Sequence, residues 1–317
     1  MAVIGVDLGG TKLAVASFDR SGSMLDKKVT ALQNRTGKDV GQLIVSEIDR
    51  MIKRMRSTAG DVTGIGICVP GIYHAGRGSV WAPNIPEWEN YPLQKEVAAY
   101  LEDRGEQLPV RVESDRACYI LGETWKGAAR GCKNAIFLAV GTGIGAGILC
   151  DGKVLRGHGD IAGATGWMTL HPEFDQKYAS CGYFEFHASG KGIVTITRDL
   201  LKQNPDYDGQ LRQKELRDLS TRDIFMAHEH NDPIAGPVIR HAITCWGMAV
   251  ANFVSLLNPE KIIIGGGVFG PAAVYLNDIE REAARWAQPI SMKQVRIEVS
   301  ALGGDAGLTG AGKLAID

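Results

Sequence analysis

The stretch best equipped for chemistry lies at the start of the chain, Asp7-Leu-Gly-Gly-Thr-Lys12. Gly9 and Gly10 let backbone amides approach a phosphate closely. Thr11 offers a hydroxyl and Lys12 a positive charge. Asp7 offers a carboxylate able to hold magnesium directly or through water. An ordinary hairpin turn is the competing reading of Gly-Gly alone. A second glycine–threonine stretch, Gly141-Thr142-Gly143-Ile-Gly145, and a third glycine run, Gly265-Gly266-Gly267, strengthen the phosphate reading. Asp115 follows the β-like run Val110–Ser114, where it can either cap a helix or face a crevice as a base. Asn84, in a proline-rich irregular segment, is a candidate sugar ligand because an amide both donates and accepts. A turn asparagine is the alternative there.

These residues need strands and helices to hold them. Val3–Val6 is a short apolar, β-branched run, and Leu13–Phe18 reads as the strand that returns from the Gly-Gly turn. Leu43, Ile44, Ile48, Met51, Ile52 and Met55 recur at helical spacing, which predicts a helix over 40–55. Gly64–Val69 predicts a buried strand entering the Pro70-Gly71 turn. Helices are predicted over 93–101 and 116–125. Phe137–Leu149 repeats the opening plan of strand, glycine–threonine turn and strand, then reaches the Asp151-Gly152 turn. Gly141–Gly145 also invites a dinucleotide-binding reading, but a helix should then follow the glycines. Ile148 and Leu149 instead resume a β-like run. Two similar halves facing each other follow from the repeated plan. After Gly190 the chain turns largely helical, over 193–201, 223–229, 235–257 and 272–287. Lys261–Val268 reads as a strand followed by glycines, a further strand is predicted over 295–299, and Gly303-Gly304-Asp305 opens a last helix.

At 317 residues, with 44% hydrophobic and 22% charged residues, the chain can build a substantial core. A net charge of −1 excludes a basic surface for nucleic acid or an anionic membrane. The six cysteines, Cys68, Cys118, Cys132, Cys150, Cys181 and Cys245, form no CxxC pair. They read as thiols of a reducing compartment. No apolar run reaches membrane-spanning length and no signal peptide precedes the first strand, so a soluble cytoplasmic protein is expected.

With these motifs in order, the chain resembles sugar kinases of the ROK group (repressor, open reading frame, kinase) in the actin-like ATPase superfamily. Asp7–Lys12 matches the group's first phosphate motif, Gly141–Gly145 its second and Gly265–Gly267 its adenosine motif. Gly71 and Asn84 fall where the group contacts sugar. Ser114-Asp115 falls where it usually carries Asn-Asp, the aspartate being its base. The resemblance implies an α/β fold of two ribonuclease-H-like domains around a central cleft. Residues 1–117 would form the first, joined by a returning helix over 303–317, and residues 118–302 the second. It also implies ATP and magnesium, a hexose substrate and an option of homodimerisation, with the apolar helix near Ile243–Leu257 serving core or interface. A DNA-binding role is not expected, because only Met1-Ala2 precede the first strand.

The departures from the pattern bear on the substrate. The group's Gly-Glu-Ile-Gly-His stretch reads Gly163-Ala-Thr-Gly-Trp167 here, so two sugar contacts near the first two carbons become Ala164 and Trp167. Trp167 is expected either to meet the sugar or to pack in the core. The group's cysteine cluster is replaced by Gln176, Tyr178 and Tyr183. A tetrahedral zinc site needs four ligands, and His171, Cys181 and His187 supply three. No structural zinc is therefore expected, with Tyr178, Tyr183 and Phe184 packing in its place. Glu185 retains the group's sugar-binding glutamate. The implied reaction is phosphoryl transfer to glucose, with N-acetylmannosamine, N-acetylglucosamine, fructose and allose as alternative acceptors. A non-catalytic sugar sensor is the other reading.

Overall fold

The computed structural model of the protein describes residues 1–58 and 60–316. The chain begins with β1 (Ala2–Leu8), β2 (Lys12–Asp19) and β3 (Met24–Ala31), then α1 (Gly37–Thr58) and β4 (Val62–Val69). A small ribbon of β5 (Ile72–His74) and β6 (Ser79–Trp81) precedes α2 (Leu93–Glu102), β7 (Val110–Ser114) and α3 (Asp115–Lys126). Next come β8 (Ala135–Val140), β9 (Ile144–Cys150) and β10 (Lys153–Val154). The helical stretch holds α4 (Tyr183–Ala188), α5 (Gly190–Gln203), α6 (Thr221–Glu229) and α7 (Ala235–Leu257). The chain closes with β11 (Lys261–Gly265), α8 (Leu276–Ala284), α9 (Pro289–Met292), β12 (Arg296–Val299) and α10 (Ala306–Leu314).

The strands form two five-stranded sheets, ordered β3-β2-β1-β4-β7 and β10-β9-β8-β11-β12. In each sheet the first strand pairs antiparallel with the second and parallel with the fourth. The repeated strand–turn–strand plan is thus a repeated sheet plan. β9 continues directly from the second glycine turn, which excludes the dinucleotide-binding alternative in the way the β-like run indicated. β3 lies outside the expectations from sequence. It is an edge strand reading Met-Leu-Asp-Lys-Lys-Val-Thr-Ala, largely exposed, so it carries little apolar alternation and discourages further edge pairing with charge.

Each sheet has its own core. Val40, Ile44, Ile48, Met51, Ile52 and Met55 of α1 are buried against the first sheet, which accounts for their helical spacing. The second core centres on α7, whose Trp246 is fully buried and donates its indole N–H to the Ala188 carbonyl at 3.1 Å. That bond fixes the end of α4. Most of α7 is core, and Leu256, at 79% exposure, lies at its far end. The helix expected over 272–287 is a 3-10 turn over Pro271–Tyr275 followed by α8.

α10 packs on the first sheet with Val3, Ala14, Ala16 and Phe18. The approach is close because the sheet presents glycines. A Cβ on Gly66 would lie 2.0 Å from the Ala311 carbonyl oxygen, and one on Gly5 would lie 2.7 Å from that of Leu308. α3 packs on α10 and also on the second sheet. A Cβ on Gly147 of β9 would lie 2.0 Å from the Arg116 carbonyl oxygen. The junction expected at 117/118 therefore falls inside a helix that touches both halves.

Candidate active site

Each glycine turn is closed by a backbone hydrogen bond from its first glycine, the first turn being one residue longer than the second. Gly9 N–H donates to the Lys12 carbonyl at 2.9 Å, and Gly141 N–H to the Gly143 carbonyl at 2.9 Å. Gly10, Thr11, Lys12 and Thr142 are exposed at the bends. Space beside Gly141 is open, and the nearest neighbour of a Cβ on Gly10 would be the Asn84 side chain at 4.0 Å. α5 starts three residues earlier than its periodicity suggested. Gly190 N–H donates to the Gly141 carbonyl at 2.8 Å, and Ser189 caps the helix through Gly192 N–H at 3.0 Å. A helix N-terminus therefore adjoins the second turn, which favours anionic groups there.

Asp7 ends β1 beside Cys68 of β4 in parallel register. The Cys68 thiol lowers the Asp7 carboxyl, and Cys68 packs with Cys118 and Ala311. Both thiols are fully buried, so their role is packing and not reactivity. Burial raises the Asp7 carboxyl above the ordinary carboxylate range, against the lowering pulls of Cys68 and Lys12. Such a carboxylate is well suited to a dication, whose charge would relieve the cost of burial. Sequence reasoning missed the two thiols, since only the register of β1 on β4 and the turn of α3 bring them under Asp7.

Asp115 is the first residue of α3. The N-cap is Ser114, whose side chain makes no capping bond, so neither residue serves the capping role weighed from sequence. Arg116 N–H donates to Asp115 Oδ1 at 2.8 Å. Burial pushes the Asp115 carboxyl up to about 6, opposed by Arg116 and by that amide, with the negative charge of Asp7 adding to the rise. The Asp7 charge is therefore near enough to act on the Asp115 carboxyl.

Asn84 is held by a tight local scaffold. Ala82 N–H donates to the Trp88 carbonyl at 2.8 Å, and the Trp88 ring stacks on Tyr91 with centroids 4.3 Å apart. Trp88 also donates its indole N–H to the Gly37 carbonyl at 3.0 Å, anchoring the segment to α1. Gly71 lies under the same segment, and a Cβ there would be 2.2 Å from the Trp81 carbonyl oxygen.

Glu185, in the short α4, accepts Ile144 N–H at 2.7 Å through Oε2. Burial raises its carboxyl, opposed by that amide and by Lys191. The same oxygen would lie 2.7 Å from a Cβ on Gly143 and 3.0 Å from one on Gly166. Glu185 thus joins the second glycine turn to the Gly163–Trp167 segment. Gly163 is fixed by its carbonyl, which accepts Ala146 N–H at 2.8 Å. Trp167 is 57% exposed, which rules out the packed-core reading.

The three glycines at the end of β11 divide. Gly265 is buried, and a Cβ there would strike Phe137 at 2.5 Å. Gly266 has φ +98° and sits on the Val140 carbonyl. Gly267 borders open space. Gly265 serves the packing of β11 on β8, while Gly266 and Gly267 are both exposed.

The residues present do not fit a structural zinc. Among the described residues no group of three or more histidines, cysteines or carboxylates could hold a metal ion. Tyr178 and Tyr183 meet edge to face at 5.0 Å, and Tyr178 shares a hydrogen bond with His187 at 3.1 Å. Burial lowers the His187 imidazole to about 4, so it is neutral near pH 7. Phe184 is fully buried in the second core.

Comparison with known proteins agrees with this geometry. The model of the ROK family matches residues 3–317. A glucokinase of Halalkalibacterium halodurans is 31% identical over 315 residues, covering 98% of this chain and 94% of that protein. A xylose repressor of Caldicellulosiruptor bescii is 28% identical over 306 residues, covering 95% of this chain and 74% of the repressor. The structure of a ROK-family glucokinase from Streptomyces griseus, in complex with glucose and AMPPNP, matches with a TM-score of 0.77 at 29% identity. That match covers 100% of this chain and 99% of the other. A match along nearly the whole length, on a duplicated sheet plan with a glycine turn in each half, means that the chain belongs to the ROK family and has its two actin-like ATPase domains.

Proposed function

We propose that this ROK-family sugar kinase transfers the terminal phosphoryl group of ATP to a hydroxyl of glucose. The observation that carries the reading is the pair of exposed glycine turns, the first with Asn84 as its neighbour, together with a half-buried Asp115 whose carboxyl feels the charge of Asp7. One carboxylate has the surroundings of a cation ligand, and the other those of a base.

Phosphoryl transfer passes through a loose transition state, so positioning and charge neutralisation supply most of the catalysis. Gly10, Thr11 and Lys12 hold the terminal phosphates from one side, and Gly141, Thr142 and Gly143 hold them from the other. Gly267 borders the adenosine. Magnesium, when bound with the nucleotide, neutralises phosphate charge, and Asp7 is the residue to hold it. Asn84 and Glu185 orient the sugar. Asp115 accepts the proton of the attacking hydroxyl and aims its oxygen in line. A carboxyl near 6 is a stronger base than an ordinary aspartate and is still ionised at pH 7. Charged hydrogen bonds contribute about 1.5–3 kcal/mol each, so two or three suffice to discriminate epimers.

Ala164 and the exposed Trp167 favour a second acceptor class, N-acetylmannosamine or N-acetylglucosamine, whose acetamido group the indole can cover. Fructose and allose remain alternatives on the same grounds. A sensor without turnover is favoured only by the repressor relative. A coupled assay with ATP, magnesium and these hexoses tests the reading. Phosphorylation of glucose at the highest kcat/KM supports it. Turnover of another hexose alone replaces glucose, and sugar binding without turnover overturns the kinase reading.

A further inference from the structure

The segment Leu155–Ala162 leaves the second sheet after β10 and crosses to the first half, where it is attached at three points. The Arg156 guanidinium pairs with the Glu113 carboxylate. Asp160 Oδ2 accepts Ala75 N–H, in the turn between β5 and β6, at 3.2 Å. The Ile161 carbonyl accepts from Arg116 Nη1 at 3.3 Å. The segment is also tied to its own half. Leu155 N–H donates to the Ile148 carbonyl at 2.8 Å, and Ala162 N–H to the Arg156 carbonyl at 3.0 Å. It therefore forms a strap between the halves, leading directly into Gly163–Trp167.

The Glu113 anchor is the informative one. Its side chain is buried, which is costly for a carboxylate unless both oxygens are served. One oxygen accepts Ser114 N–H at 2.9 Å and the other meets Arg156. Ser114 is the residue before Asp115, so this carboxylate clamps the strand tip that presents the proposed base. Asp160 adds a second anchor, because it holds a left-handed backbone at φ +60° while reaching Ala75. The short aspartate side chain tolerates that conformation, and here it directs the carboxylate at Ala75. Burial raises the Glu113 carboxyl, and Arg156 opposes the rise.

We propose that Arg156 is a positioning residue: through Glu113 and the strap it fixes the Asp115 corner against the Gly163–Trp167 segment, so that sugar binding and alignment of the base are coupled. The inference rests on the sugar-kinase reading. Among the described residues none of the strap's hydrogen bonds or ion pairs reaches either glycine turn, so nucleotide binding should not depend on it. An Arg156→Ala change leaves Glu113 buried beside its backbone contact alone and frees the strap at that end.

The test compares wild type, Arg156→Ala, Arg156→Lys and Asp160→Ala in full-length protein. Readouts are hexose turnover, glucose affinity by calorimetry, KM for ATP, and ATP hydrolysis per sugar phosphorylated. For Arg156→Ala the expectation is glucose affinity and kcat each lower by about tenfold or more, the scale of one lost charge-assisted hydrogen bond. KM for ATP should hold, and hydrolysis per sugar phosphorylated should rise. Arg156→Lys should recover part of the loss, and Asp160→Ala should move the same quantities less. If Arg156→Ala does not fold, the other two variants decide by the same measures. Unchanged glucose affinity and kcat in folded variants overturn the proposal, as does an equal loss in sugar and ATP parameters. Wild-type protein that binds glucose without turnover overturns the kinase reading, and the affinity comparison still decides the role of Arg156. Wild-type protein that binds no sugar overturns both.

Discussion

Glu185 Oε2 and the Ile144 backbone amide lie 2.7 Å apart, so the sugar-side glutamate is bonded to the rim of the second glycine turn. One oxygen is thereby held at the turn, and on the proposed reading the other is left for substrate. Glu185→Ala removes both contacts and orphans the amide. The expected outcome is a rise in sugar KM together with a fall in kcat, on the order of 10–100-fold in kcat/KM. Glu185→Gln keeps an acceptor for Ile144 and should be milder. Steady-state kinetics with sugar and ATP varied separately measures both.

Asp115→Asn should lower kcat by about 10²–10⁴-fold while sugar still binds. In wild type the base must be ionised, so kcat/KM for sugar should rise with pH through about 6 and then level off. The effect on stability has the opposite sign. The folded state holds the Asp115 proton more tightly than the unfolded chain, whose aspartate has an ordinary value near 3.8. Between about pH 4 and 6, raising the pH thus costs folded-state stability. Asp115→Asn should remove that cost and raise stability at pH 7 by on the order of 2 kcal/mol. Denaturant unfolding at pH 4, 6 and 7 checks the trend.

Burial raises the Asp7 carboxyl, and the neighbouring Cys68 thiol lowers it. Cys68→Ala should raise it further. Productive binding of magnesium–ATP would then require a higher pH, and the acid limb of its kcat/KM profile should move upward. Cys68→Ser keeps a donor and should restore most of the wild-type profile. An unmoved acid limb in Cys68→Ala would show that the thiol does not tune Asp7.

Gly66→Ala places a methyl 2.0 Å from the Ala311 carbonyl oxygen, in backbone that cannot yield as a flexible side chain would. Destabilisation of about 3 kcal/mol or more is expected from this overpacking. Gly76→Ala, in the open turn between β5 and β6, has nothing within 4 Å of its new Cβ. It should stay within about 0.5 kcal/mol of wild type. Thermal and denaturant unfolding of the two variants gives the contrast.

Trp167→Ala removes an exposed indole, so stability should change by no more than about 0.5 kcal/mol. Sugar preference should change, with KM for the best hexose rising and selectivity among 2-substituted hexoses falling. Equal KM values across the hexose panel in both proteins would mean that the indole does not meet the acceptor.

Sequence legibility varied with the physics of each element. The strands around both glycine turns were readable because each is an apolar run bounded by a turn, and α1 because its buried face repeats at helical spacing. β3 was not readable, since an edge strand covered with lysine and aspartate has no buried face to show. The 3-10 turn before α8 was hidden because its alanines and valine also suit a helix. Arg156 and Glu113 carried no signal, being 43 positions apart, one in the strap after β10 and the other in β7.

The order of glycine turns, strands and the Asp115 corner by itself determined the family and the kind of chemistry, because close backbone approach and strand periodicity are local properties. Tertiary structure decided what depends on long-range packing. It placed Trp167 at the surface, set Cys68 beside Asp7, bonded Glu185 to the Ile144 amide, and buried Gly265 while leaving Gly266 and Gly267 exposed. Burial and charge pairing arise only when distant segments meet, and they set which carboxyl is a base and which side chain is free to touch a ligand.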